Sequence, residues 1–106
     1  MYDVILDPDI DGCTIWYDGR VTHINGRINE MANEIYKRVS VFEKTDDNKY
    51  ICYQNKTIGI DTSGFGIAVK ECLELKGLQI NEIRGRQINT FLPVTNEFLV
   101  PINHQN

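Results

Sequence analysis

The sequence predicts a mixed α/β domain, with a central sheet of about five strands, helices near residues 26–39 and 65–76, and an added β-hairpin over 41–54. Three features carry that expectation. From Lys56 to Gly77 a short apolar run ends in Asp61, turns through glycines and enters an amphipathic segment, which is a strand, a tight turn and a helix in series. Asp18-Gly19 sits between two alternating runs and readily takes the positive φ values of a type I′ hairpin turn. After Asn25 the apolar spacing changes from two to about 3.6 residues, marking the first helix.

Taken in order, Tyr2-Asp3-Val4-Ile5-Leu6 is a short, partly β-branched run stopped by Pro8, which suits a buried first strand. Residues 13–17 and 20–24 flank Asp18-Gly19, and a two-residue loop pairs Trp16 with Val21 and Thr14 with His23 on one face. Cys13, Ile15, Thr22 and Ile24 fall on the other. Ile28, Met31, Ala32, Ile35, Tyr36 and Val39 then form a helical stripe, with Arg27, Glu30, Glu34, Lys37 and Arg38 off it. Residues 41–45 and 50–54 read as strands joined by the polar turn Asp46-Asp47-Asn48-Lys49.

The run Thr57-Ile58-Gly59-Ile60 is too short and too β-branched for a helix, so Asp61 falls at a strand's carboxyl end. Phe65, Ala68, Val69, Cys72 and Leu73 form the apolar face of the second helix, Gly77 caps it, and residues 78–83 alternate like a strand returning to the sheet. Beyond Ile83 the apolar runs Phe91-Leu92-Pro93-Val94 and 98–102 are broken by prolines, as edge strands or packing arms are, and the tail from Asn103 is expected to fray.

Length and composition narrow the function. With 106 residues and 42% apolar side chains, one core and one domain are expected. No run is long enough to span a membrane and the amino terminus lacks the pattern of a secretory signal, so no membrane partner is expected. Cys13, Cys52 and Cys72 are odd in number and nowhere spaced as Cys-x-x-Cys, which fits a reducing cytoplasm better than a disulfide or zinc framework. The net charge of −4 argues against strong unaided DNA binding. Acidic and basic groups are segregated, with Asp3, Asp7, Asp9, Asp11 and Asp18 near the start and Arg84 and Arg86 far downstream.

Asp7-Pro8-Asp9-Ile10-Asp11-Gly12 matches the opening of a calcium loop, with Asp18 at the twelfth position. Calcium is nevertheless disfavoured, because a strand precedes, Pro8 intervenes and Asp18-Gly19 already serves a hairpin. An acidic turn whose Asp side chains cap backbone amides fits better. A sharper arrangement joins Asp7 to Asp61. If their strands are adjacent and parallel, both carboxylates project into one crevice, where a divalent cation relieves their repulsion. Mg2+ or Mn2+ suits such an oxygen-rich site, with Asp9 and Asp11 as accessory acids and with coordination positions left for a phosphate oxygen and a water.

Asp7 ending a first strand, the Asp18-Gly19 hairpin, a helix and then IGIDTSGFGIAVKECLELKGLQINEI together resemble the ribonuclease H-like superfamily. The later segment is most similar to the nuclease domain of viral terminase large subunits, where a strand ending in an acid precedes a Gly-x-Gly turn, a helix and a returning strand. The resemblance spans about residues 2–84, and its most specific part is 57–83. It implies ribonuclease H-like strand order and a metal-dependent nuclease, with Asp7 and Asp61 as catalytic metal ligands and DNA met through a larger assembly. The family's third acid lies on a later helix, and neither Glu97 nor Asp11 occupies a matching position, so a truncated or inactive member is one form of this reading.

Other readings have less behind them. Asp61-Thr62-Ser63-Gly64 carries a serine that the Asp-Thr-Gly of aspartic proteases lacks, and Gly64-Phe65-Gly66 lacks the rest of a phosphate-binding fingerprint. By spacing, neither His23 nor His104 has a partner base or nucleophile, and Trp16 suits a core or sheet surface. From a different class, a small non-catalytic binding protein, such as a viral or mobile-element inhibitor, would use its acidic edge and carboxyl arm to grip a host protein partner.

Overall fold

The structure is a computed structural model that describes residues 2–84. The proline-broken runs of 91–94 and 98–102, the tail, Arg86, Glu97 and His104 lie outside the described residues. Seven strands and two helices follow one another as β1 (Val4–Pro8), β2 (Gly12–Tyr17), β3 (Arg20–Asn25), α1 (Ile28–Val39), β4 (Ser40–Lys44), β5 (Tyr50–Gln54), β6 (Ile58–Asp61), α2 (Gly66–Leu75) and β7 (Asn81–Ile83). Five strands form one mixed sheet in the order β3-β2-β1-β6-β7, and β4 and β5 form a separate two-stranded sheet. The expected mixed α/β class, the two helices and the added hairpin are all present.

The hairpin β2–β3 turns at Asp18 and Gly19, whose φ angles of 56° and 72° are those of a type I′ turn. Its register pairs Trp16 with Val21 and Thr14 with His23, as the two-residue loop requires. Strand β1 lies antiparallel to β2 and parallel to β6. The β1–β6 pair begins at a clamp between residues 54 apart, where the Asp3 carboxylate accepts the Thr57 amide at 2.9 Å and the Thr57 hydroxyl at 3.1 Å. Those hydrogen bonds hold the Asp3 carboxyl below its ordinary value.

Both helices pack on one face of the sheet. Val4 and Leu6 of β1, Ile58 and Ile60 of β6, Met31, Ile35 and Val39 of α1, and Val69 and Leu73 of α2 form a single buried cluster. Each such aliphatic side chain contributes about 1.5–3 kcal/mol by leaving water. A smaller cluster on the opposite face joins Ile5 and Ile83 with Tyr2 and Trp16. The alternation along β1 therefore sends Val4 and Leu6 toward the helices and Ile5 and Asp7 away from them.

Helix α1 starts at Ile28, two residues later than its spacing predicts, where the Glu30 carboxylate accepts the Arg27 amide at 2.8 Å. Helix α2 closes in a Schellman arrangement, with the Gly77 amide donating to the Glu74 carbonyl and that of Leu78 to Leu73. Two further expectations need correction. Phe65 precedes α2 instead of lining its apolar face and is exposed. The returning strand covers only 81–83, because the amide of Leu78 is committed to the helix cap and both the amide and carbonyl of Gln79 bond the Gln54 side chain. Among the described residues no helix is long and apolar enough to cross a membrane.

Candidate functional site

The parallel register of β1 and β6 runs Val4↔Ile58, Ile5↔Gly59 and Leu6↔Ile60, so Asp7 and Asp61 stand next in line on neighbouring strands. Adjacent strands lie about 4.8 Å apart. Both side chains point to the face opposite the helices: Asp7 alternates with Leu6, and Asp61 is in register with Ile83 of the smaller cluster. The register thus sets the two acids at the carboxyl ends of neighbouring strands.

Their proximity has an electrostatic consequence. Asp7 is half-buried, and its carboxyl is raised above the ordinary value of 3.8, first by loss of water and then by the negative charges of Asp61 and Asp9. A cation between Asp7 and Asp61 would offset that repulsion. Asp61 is fixed by its own turn, because one carboxylate oxygen accepts both the Ser63 amide at 2.8 Å and the Ser63 hydroxyl at 2.6 Å. Next to it, buried Thr62 donates its amide to the Ile83 carbonyl and its hydroxyl to Glu82 at 2.8 Å. That hydroxyl is the main reason the Glu82 carboxyl is lowered, with Arg84 at 3.5 Å adding to it.

Asp9 and Asp11 sit differently. One Asp9 oxygen accepts the amides of Asp11 and Gly12, both at 2.9 Å, which is the capping role an acidic turn performs. Asp11 is exposed in the same loop, and its carbonyl accepts the Gly26 amide. Among the described residues no three His, Cys, Asp or Glu side chains converge as a metal cage. An oxygen-only pair such as Asp7 and Asp61 fits Mg2+ or Mn2+, which complete their coordination with water and substrate oxygens. Asp18 lies beyond Tyr17, the partner of Val4 at the far end of β1, and β2 runs through the stretch that a calcium loop would need.

Two residues escape sequence reasoning. Asp7 pairs with Thr14 across β1–β2, and Thr14 pairs with His23 across β2–β3, so all three side chains share one row on one face. The Thr14 hydroxyl meets His23 Nδ1 at 3.1 Å. The hairpin register already coupled Thr14 to His23. What the sequence lacked was the β1–β2 register, which the three-residue loop Asp9-Ile10-Asp11 sets and no turn motif specifies. On the same rim a cavity of about 450 Å3 is lined by Ile10, Arg27, Ile28, Asn29 and Phe65.

No protein-family model matches the chain, and no curated protein or solved structure does either.

Proposed function

We propose that this chain is a divalent-metal-dependent nuclease-like domain in which Asp7 and Asp61 hold Mg2+ or Mn2+ against a phosphodiester. The observation that carries the reading is the placement of two carboxylates at the ends of adjacent parallel strands, close enough that the Asp61 charge adds to burial in raising the Asp7 carboxyl above its ordinary value. The order β3-β2-β1-β6-β7, with β1, β6 and β7 parallel, supports it as the order expected of a ribonuclease H-like sheet. When bound, the cation would polarise a phosphate oxygen and acidify a water. The chain's own part is positioning: Ser63 fixes the Asp61 carboxylate, and the β1–β6 ladder sets its distance from Asp7. With a net charge of −4, the chain alone is expected to hold DNA weakly, and a larger assembly would strengthen that contact.

The test is incubation of the purified chain with supercoiled plasmid and Mg2+ or Mn2+, beside Asp7→Asn and Asp61→Asn. Metal-dependent nicking by the wild type and its loss in both variants is the expected result. Nicking that survives in Asp61→Asn, or none by a folded wild type, removes the enzyme reading.

One observation favours a second reading, a non-catalytic protein binder. The β4–β5 sheet stands apart from the main sheet and exposes Phe42, Tyr50, Ile51 and Tyr53. On that reading a Phe42→Ser, Tyr53→Ser double variant abolishes partner binding, whereas Asp7→Asn leaves it intact.

A further inference from the structure

We propose that His23, oriented by Thr14, is a binding residue for the nucleic-acid strand and contacts the phosphate one nucleotide away from the one held at Asp7 and Asp61. The inference rests on the metal-site reading above and extends it along the sheet. Asp7, Thr14 and His23 occupy one row on one face of three consecutive strands. Two strand spacings separate the ends of that row by about 10 Å, which is too wide for both to grip a single phosphorus and suits successive phosphates of an extended strand.

The imidazole is positioned for that task. Its Nδ1 lies 3.1 Å from the Thr14 hydroxyl, a contact that holds the ring orientation in either tautomer. Nε2 lies over Gly12, where a β carbon would stand only 2.8 Å from it. The ring therefore leans along the sheet toward the Asp9–Gly12 turn, the rim where Asp7 also ends its strand. His23 is exposed on the edge strand β3, so a ligand can reach it while the half-buried Asp7 stays recessed. An exposed imidazole on an edge strand, backed by a second polar side chain, has the chemistry of a phosphate contact, which positions a strand without reading its bases.

The experiment uses the full chain with a fluorescein-labelled single-stranded DNA oligonucleotide. Binding is followed by anisotropy in Ca2+ and cleavage in Mg2+, for the wild type, His23→Ala, His23→Gln and Thr14→Val. The expected result is about threefold to tenfold weaker binding and a higher KM for His23→Ala with kcat unchanged, partial recovery in His23→Gln, and a smaller loss in Thr14→Val. Thermal unfolding checks that each variant is folded; because His23 is exposed, its variants should melt with the wild type. Affinity unchanged in His23→Ala while the wild type still binds and cleaves overturns this proposal alone, as does a fall in kcat at constant KM. Failure of the wild type to bind or cleave overturns the metal-site reading and this proposal together.

Discussion

A β carbon at position 66 would overlap the carbonyl oxygen of Asp61, so the first residue of α2 is pressed against the last residue of β6. That contact sets the tight strand-to-helix turn and fixes where the Asp61 side chain leaves the sheet. Gly66→Ala is expected to destabilise the fold by about 2–4 kcal/mol, because backbone on both sides must shift. A fall in midpoint of chemical denaturation checks it. At Gly64, where a β carbon would meet nothing but φ is +59°, the expected cost of alanine is smaller, about 1 kcal/mol.

Asp7 gives a pH-dependent prediction. Its folded pKa is raised, so the fold favours the protonated acid; this contribution is complete below the ordinary value of 3.8 and lost as pH rises through the raised value. At pH 7 without metal, the ionised carboxylate therefore lowers stability. Asp7→Asn should then melt above the wild type in EDTA. The advantage should vanish near pH 3. Calorimetric melts of both proteins across pH 3–7 test the sign.

Metal addition should reverse that order. A cation that binds the folded chain raises stability by RT ln(1 + [L]/Kd), about 2.7 kcal/mol at a hundredfold excess over Kd. The wild type is expected to gain melting temperature in Mg2+ or Mn2+, and Asp7→Asn and Asp61→Asn to gain none. Equal shifts in all three proteins would place the ion elsewhere.

Gln54 ties the hairpin's last strand to the main body. Its side-chain nitrogen donates to the carbonyls of Lys56 at 2.7 Å and Gln79 at 3.0 Å, and its oxygen accepts the Gln79 amide at 2.7 Å. Gln54→Ala leaves three backbone partners to find water and should cost about 1–2 kcal/mol. Hydrogen exchange at the Gln79 amide should quicken in the variant.

Cysteine reactivity offers a probe of packing. Burial pushes the Cys13 thiol up to about 12, and Cys52 is exposed. At pH 8 a maleimide should label Cys52 in the native protein and reach Cys13 only after unfolding. Mass spectrometry of the labelled peptides reads this directly.

Much of the architecture is legible in the chain because local rules dominate it. Asp18-Gly19 fixes a two-residue turn, and that turn alone dictates which side chains oppose each other from Thr14 to His23. The α1 stripe marks its buried face, with Met31, Ala32, Ile35 and Val39 inside. Errors occur where backbone groups are diverted by distant partners. Leu78, Gln79 and Ile80 alternate like a strand, yet the helix cap takes the Leu78 amide and Gln54 takes both backbone groups of Gln79. Phe65 keeps helical spacing but lies outside the helix, where exposure costs it nothing that spacing can report. In the candidate site, the meeting of Asp7 and Asp61 follows from strand ends and parallel pairing. The addition of Thr14 and His23 depends on a register across an irregular loop, which carries no motif.

The clamp from Asp3 to Thr57 joins segments that synthesis separates by most of the described chain. Closing so long a loop is entropically slow, and parallel pairing yields its reward only once the crossover is complete. Asp7 and Asp61 become neighbours only where β1 and β6 pair, so a chain in which that crossover is unformed holds the two carboxylates apart. On the metal-site proposal, capture of an ion would therefore wait on closure of this strand pair.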